Sequence, residues 1–437
     1  MDKMNRVQRV YKTQNVYDAS LERIDYIFKN FNKIYVSFSG GKDSGVMINL
    51  VVDYMRKNKI NKKVGLMVLD NEANYTLSTD FMHRIISSNL DLLDVYWCCL
   101  PITLPCTVSS YSIDWQCWGE DDKERWIKPM SDASYIVNID NHKFDFFKEN
   151  MNYDEFWDKF GEWYADGEDC ACLIGIRTDE SLNRFRAIMN ERKTMHGNNF
   201  WTKKNGNHVY NCYPIYDYKT DDIWIANYIH DWDYNKLYDI FWKAGLSVGQ
   251  MRVASPFMSE SKSSLNLYRV IDSNIWSRLC ARVSGANFAA TYGKQLNYRS
   301  FSLPEGHTWK SFVKFLLDTL PEEVSENFKS RFIQSIRYWW RIGRGLDDST
   351  IKELKSIGVD FILGNKTRHG NQDKYCVRML PPDHLDGLKR HPSEVTSWKR
   401  FAITILKNDH TCKYLGLAPS QEQAKRMKEI KDKYKNI

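Results

Sequence analysis

Residues Ile34–Met55 read IYVSFSGGKDSGVMINLVVDYM. A β-branched apolar run stops at Ser37-Phe38-Ser39, and helical spacing resumes at Val46, Met47, Leu50, Val51 and Tyr54. The spacing predicts a strand over Lys33–Phe38 and a helix over Ser44–Arg56, joined by Ser39-Gly40-Gly41-Lys42-Asp43-Ser44. Two adjacent glycines let main-chain amides close on oxyanions. Ser39 and Ser44 add hydroxyl donors, Lys42 adds a point charge, and the helix start adds partial positive charge. Asp43 is foreign to a pure anion hole, and Mg²⁺ ligation is the role expected of it. The loop is not G-x-x-x-x-G-K-[ST], because Asp43 follows Gly41-Lys42 and Val36 stands where the first glycine belongs.

Outward from this loop, strand and helix signals alternate. Strands are expected at Val64–Leu69, Leu92–Ile102 and Cys172–Ile176, and helices near Thr79–Asn89, Tyr153–Tyr164 and Glu180–Asn190. Continuously apolar strands between helices predict a parallel sheet covered on both faces. Asn205-Gly206 between Phe200–Lys203 and His208–Cys212 predicts a hairpin with two residues at positive φ. Thr220–His230 is a helix opening on a threonine cap. Beyond about Leu246 the alternation is lost; Ile271–Leu320, Val324–Gly343 and Gln421–Ile437 read as helical. Two domains follow, residues 1–250 and 251–437 of the 437-residue chain.

Apolar residues make up 43% of the chain, enough for packed cores. No window has the uninterrupted apolar length of a membrane span, and the first residues lack a secretory pattern. The expected location is the cytoplasm. Ten cysteines are too sparse for a disulfide framework, and none forms C-x-x-C, so neither zinc nor an iron–sulfur cluster is expected. A net charge of +7 weakly favours an anionic partner.

A second motif, Gly175-Ile176-Arg177-Thr178-Asp179-Glu180-Ser181-Leu182-Asn183-Arg184, follows a predicted strand. Ligands bind at the carboxyl ends of such strands. Arg177 and Arg184 can grip an anion with planar forks, and Glu180 can orient one of them or meet a ribose hydroxyl. Asp70 ends strand Val64–Leu69, where a carboxylate can contact adenosine or metal.

The S-G-G-K-D-S loop after a first parallel strand resembles the PP-loop ATP pyrophosphatase superfamily, which splits ATP between its α- and β-phosphates. The Gly175–Arg184 segment, Tyr213-Pro214-Ile215-Tyr216-Asp217 with Asp221-Asp222-Ile223-Trp224, and Tyr234-Asn235-Lys236-Leu237-Tyr238 resemble its PAPS-reductase branch. The resemblance implies an adenine nucleotide α-hydrolase-like fold and ATP or PAPS as ligand. It also implies a site in which Ser39, Gly40, Gly41, Lys42, Ser44, Asp70, Gly175, Glu180 and Ser181 bind nucleotide. Lys42, Asp43, Arg177 and Arg184 are the residues it assigns to catalysis, with Asp43 on Mg²⁺.

A narrower likeness joins this domain to a C-terminal domain of unknown function. It rests on Trp118-Gly119-Glu120-Asp121-Asp122 with Trp126 and Pro129, Gln250-Met251-Arg252, Val283-Ser284-Gly285-Ala286-Asn287-Phe288, Ser397-Trp398-Lys399-Arg400 and Lys407-Asn408-Asp409. These segments are similar to the immunoglobulin-binding regulator A proteins of bacteria and prophages. That kinship implies a ParB-like nuclease-domain partner and a part in transcription co-activation or DNA processing. Two rivals stand. One is a sulfonucleotide reductase or sulfotransferase, although the C-terminal E-C-G-x-H setting is missing and Cys412 lies in Asn408-Asp409-His410-Thr411-Cys412-Lys413. The other is a nucleotide-sensing regulator without catalysis.

Phe328–Arg344 (FKSRFIQSIRYWWRIGR) sets Phe328, Phe332, Ile336 and one of Trp339 or Trp340 on one helical side and five basic residues elsewhere. Nucleic acid binding uses that mixture; so does an ordinary amphipathic helix with solvated arginines. The basic stretch Lys425–Lys435 is the other nucleic-acid hint.

Overall fold

The computed structural model describes residues 11–258, 261, 264–292, 303–367, 374–388 and 394–417. The helix expected over Gln421–Ile437 and the basic stretch within it lie outside the described residues. Two compact units are present: residues 11–104 with Asp114–Arg282, and Pro105–Ile113 with the residues from Val283 onward.

The first unit is built on a seven-stranded sheet. Its opening elements are α1 (Val16–Asn30), β1 (Lys33–Ser37), α2 (Lys42–Lys57), β2 (Val64–Leu69), α3 (Thr76–Ser87) and β3 (Leu93–Cys98). From one edge the order is Ile136–Val137, β3, β2, β1, Cys170–Ile174, Val209–Cys212 and Thr202–Lys204. Every neighbouring pair is parallel except the last, an antiparallel hairpin. Ile34, Tyr35 and Val36 of β1 are buried, as continuous apolar strands covered on both sides must be. Register then places the site. Ser37, the last residue of β1, pairs with Ile174, the last of its strand, and with Met67, two residues before the end of β2, so the loops after these three parallel strands leave from the same end of the sheet.

Several expectations shift in detail. The strand expected over Leu92–Ile102 is two, Leu93–Cys98 and Ile102–Pro105, because Pro101 cannot donate to a ladder. At the hairpin only Gly206 has positive φ, at +91°. The connection is longer than a two-residue turn, and Glu162 Oε1 accepts from the Asn207 amide at 2.6 Å. Helix Thr220–Ile229 is capped one residue earlier than expected, with Lys219 N–H donating to Asp222 at 2.7 Å.

The second unit is mainly helical. Helices Trp309–Asp318, Glu322–Arg341 and Trp398–Leu406 pack Phe312, Phe328, Phe332 and Phe401 into one core. A three-stranded antiparallel sheet, ordered Arg344–Asp347, Lys374–Arg378, Ile362–Lys366, is absent from the sequence reading. Burial settles the choice within Phe328–Arg344: Trp339 is buried and Trp340 is exposed. Gly285, at φ +96°, marks a close backbone approach, since a Cβ there would lie 2.9 Å from the Val108 carbonyl oxygen.

Candidate functional site

The residues from Ser39 to Ser44 form a tight cup on the start of α2. Gly40 takes φ +69°, and a Cβ on it would press against Met82 Cγ at 2.9 Å. Gly41 is the N-cap of α2 without a side-chain cap bond. Ser39 and Ser44 meet hydroxyl to hydroxyl at 3.1 Å, and the Ser39 amide donates to Ser44 Oγ at 3.3 Å. Among the described residues the amides of Gly40 and Gly41 meet no acceptor. Ser44 Oγ in turn donates to the Gly41 carbonyl oxygen at 3.1 Å. Two open amides, the Ser39 hydroxyl and a helix start together suit an anion.

Two residues from a distant segment hold this cup. Asn235 Nδ2 donates to the Gly40 carbonyl oxygen and to Ser78 Oγ, each at 2.9 Å. Tyr238 Oη accepts from the Lys42 amide at 3.1 Å. Tyr234–Tyr238 was legible only as a resemblance; nothing in its spacing announces a clamp on a loop almost two hundred residues earlier.

The second motif does reach the first. Gly175 lies so close to α2 that a Cβ would stand 2.8 Å from the Asp43 carbonyl oxygen. Arg177 is fully buried; its Nε donates to Asp43 Oδ1 at 2.5 Å, and its outer nitrogens reach the Tyr218 carbonyl and Thr220 Oγ1, each at 3.3 Å. Asp43 Oδ2 accepts from Lys42 Nζ at 2.7 Å. Burial pulls the Lys42 ammonium below its usual range; Asp43 opposes this, while Arg177 and Arg184 add to it. Arg184 is half-exposed and ion-paired with Glu180. Glu180 also accepts from the Arg177 amide at 3.3 Å, and Ser181 caps its helix by accepting from the Arg184 amide at 3.2 Å.

Three of the expected site residues are engaged by the protein itself. Arg177 is expected to grip a ligand, yet its fork is directed at protein acceptors and it fixes Asp43. Asp43 does not fit a Mg²⁺ ion as placed, because a cation from this chain already meets each carboxylate oxygen. Asp70 is expected to touch adenosine or metal, yet it is buried. Its Oδ1 accepts from the Glu72 amide and Asn74, and its Oδ2 from Trp97 and Lys128. Lys128, which no sequence signal marked, donates to Asp70 at 2.9 Å and to Thr79 Oγ1 at 3.1 Å. Beside it, buried Glu72 accepts from the amides of Trp118 and Ile127 at 2.7 and 2.8 Å, which pins the Trp118–Asp122 segment. Burial raises the Glu72 carboxyl above its usual range.

Among the described residues, no group of three or more His, Cys, Asp or Glu is arranged to hold a metal ion. Nor is any helix there long and apolar enough to cross a membrane.

A parallel sheet carrying S-G-G-K-D-S at the end of its first strand, with Gly175–Arg184 folded against it, defines a PP-loop nucleotide-binding domain of the PAPS-reductase type. The phosphoadenosine phosphosulfate reductase domain family matches residues 123–256, and a domain of unknown function, DUF3440, matches residues 245–426. The chain is 31% identical over 417 residues to the uncharacterized protein YbdN of Escherichia coli K12, covering 94% of this chain and 92% of YbdN. This chain belongs to the same family, PAPS-reductase-like domains joined to DUF3440. Among solved structures it resembles a phosphoadenylyl-sulfate reductase from Candida auris at 13% identity. The TM-score is 0.31, with 57% of this chain and 97% of that one covered. A Candida glabrata FMN adenylyltransferase, in complex with FMN and an ATP analogue, matches at 13% identity and TM-score 0.31, covering 53% and 64%. The NH3-dependent NAD synthetase of Campylobacter jejuni matches at 13% and 0.27, covering 67% and 99%.

Proposed function

We propose that this chain binds ATP, or PAPS, by its phosphates in the loop of residues 39–44 and cleaves ATP between the α- and β-phosphates. The carrying observation is the convergence of the open Gly40 and Gly41 amides with the Ser39 and Ser44 hydroxyls over the start of α2. An acceptor attacks the α-phosphorus and forms a new P–O or P–N bond. The bond from the α-phosphorus to the bridging oxygen breaks, pyrophosphate leaves with that electron pair, and the acceptor's proton passes to solvent. With water as acceptor the products are AMP and pyrophosphate; with another nucleophile the adenylyl group is transferred. Catalysis on this reading is positioning and charge neutralisation. Gly40, Gly41, Ser39 and Ser44 meet phosphate oxygens, and Lys42 and Arg184 supply positive charge at the mouth. Arg177, Asp43 and Gly175 keep the loop in shape; Asp70, Glu180 and Ser181 hold the flanking segments.

The wider setting is part of the same proposal. The protein acts in the cytoplasm with a ParB-like nuclease-domain partner, in transcription co-activation or DNA processing, as the resemblance to the immunoglobulin-binding regulator A proteins implies. Residues 1–250 carry nucleotide chemistry and 251–437 the partner-facing role. On helix Glu322–Arg341, exposed Arg337, Arg341 and Trp340 supply the cationic and aromatic groups that a nucleic acid strand uses. The test is incubation of the full chain with ATP and Mg²⁺, alone, with the partner, and with partner and DNA. AMP and pyrophosphate are expected, increasing in the fuller mixtures. ATP binding with no AMP in any arm leaves the nucleotide-sensing regulator as the function. Equal rates in all arms remove the partner and DNA from the account.

The thiol-dependent rival is weakened by burial. Cys412 is fully buried in the core of the second unit, and burial pushes its thiol up to about 12. A nucleophilic sulfur needs a thiolate near neutral pH. Cys412→Ser is therefore expected to leave AMP and pyrophosphate release within about twofold of the parent, per folded molecule. Abolished turnover in well-folded Cys412→Ser would restore the reductase reading.

A further inference from the structure

The loop has a third hydroxyl, contributed by a residue 196 positions away. We propose that Tyr238 is a ligand-binding residue of this site, donating its phenolic proton to a phosphate oxygen held above Gly41. The proposal rests on the nucleotide reading and adds to it a residue that neither the motifs nor the family matches assign.

The geometry is specific. A Cβ built on Gly41 would stand 3.5 Å from Ser39 Oγ, 3.6 Å from Tyr238 Oη and 3.9 Å from Ser44 Oγ. One point above the glycine is thus ringed by three hydroxyls, with room for an atom. Tyr238 Oη accepts from the Lys42 amide, which uses one lone pair and leaves the O–H proton to be donated elsewhere. Among the described residues no acceptor receives that proton. Tyr238 is only 4% exposed, and a buried phenol needs a partner for its proton. Burial raises the pKa of the phenol, so it keeps its proton at neutral pH and is in the donating form.

The ring is held where it can do this. Its helix begins at Leu237, whose amide donates to Asn235 Oδ1 at 3.0 Å while Asn235 grips the Gly40 carbonyl. Trp224 and Phe241 meet it edge to face at 5.5 and 6.2 Å between centroids. Lys42 Nζ lies 5.8 Å from the ring centroid. The ligand this arrangement selects is a phosphate chain with a free oxygen to place above Gly41, as in inorganic pyrophosphate or the β,γ end of ATP.

Calorimetric titration of the full-length protein with inorganic pyrophosphate and with ATP tests it. Tyr238→Phe is expected to weaken both by tenfold or more, the effect of losing one hydrogen bond to a charged group. The parent binding while Tyr238→Phe binds equally well overturns this proposal and leaves the nucleotide reading standing. A parent that binds neither ligand overturns both. Since Tyr238→Phe also deprives the Lys42 amide of its acceptor, a probe that keeps the hydroxyl is added: 3-fluorotyrosine installed at position 238 and followed by fluorine NMR. Its signal should move on addition of pyrophosphate; an unmoved signal at saturation counts against the contact whatever the fate of the Phe variant.

Discussion

Arg177→Met is expected to abolish nucleotide binding and to lower the stability of the first unit by about 3–5 kcal/mol, the usual cost of removing one partner from a buried ion pair. The pair it breaks is buried on both sides, with side-chain exposures of 2% for Arg177 and 12% for Asp43. Without the guanidinium, Asp43 keeps only Lys42, and the carbonyl of Tyr218 and the hydroxyl of Thr220 lose their donor. The loop then loses the strut that joins the carboxyl ends of β1 and Cys170–Ile174. Arg177→Lys should rescue little, because an ammonium cannot offer the three donors in one plane that the fork offers. Chemical denaturation and ATP titration of the two variants read this directly. Normal stability with normal binding in Arg177→Met would show that the guanidinium is not what shapes the loop.

Gly41→Ala should do the reverse: leave stability within about 1 kcal/mol and reduce ATP and pyrophosphate affinity at least ~100-fold. Gly41 has φ −81°, a conformation open to any residue, and the added methyl meets only ordinary contacts of 3.5 Å or more. Nothing in the fold therefore objects to it. The methyl fills the space between the three hydroxyls, where a bound oxygen would accept more than one charge-assisted bond worth roughly 1.5–3 kcal/mol each. Gly40→Ala is a poorer probe, since φ +69° and Met82 make it a test of folding as well. If Gly41→Ala retains parental affinity, the anion does not sit over Gly41, and the site must be sought elsewhere along the sheet edge.

The two experiments separate kinds of residue that look alike in a motif. Lys42, Asp43, Arg177 and Arg184 are all charged and all near the loop. Only their partners distinguish a group that faces a ligand from one that holds the scaffold. Lys42 and Arg184 each hold one ion pair, with Asp43 and Glu180, at side-chain exposures of 11% and 45%, while Arg177, at 2%, spends its whole fork on Asp43, Tyr218 and Thr220. Asp70 makes the same point: a carboxylate ending a parallel strand invites a ligand role, and four protein donors take it instead.

By itself the sequence determined the phosphate loop, the parallel sheet around it and the change of character toward the C-terminus. These depend on contiguous residues: an apolar run, two glycines, a helical period. Even Gly175–Arg184 could be placed at a strand end from local pattern alone. Only the tertiary structure decided what each polar group meets, and therefore what it does. Arg177 finds Asp43 across 134 positions and Tyr238 finds the Lys42 amide across 196, distances over which no periodicity carries information. The small antiparallel sheet of the second unit stayed hidden for a related reason. Its strands, RGLD, ILGNK and KYCVR, are short and rich in polar residues, two of them carry a glycine, and they are made strands by pairing with one another.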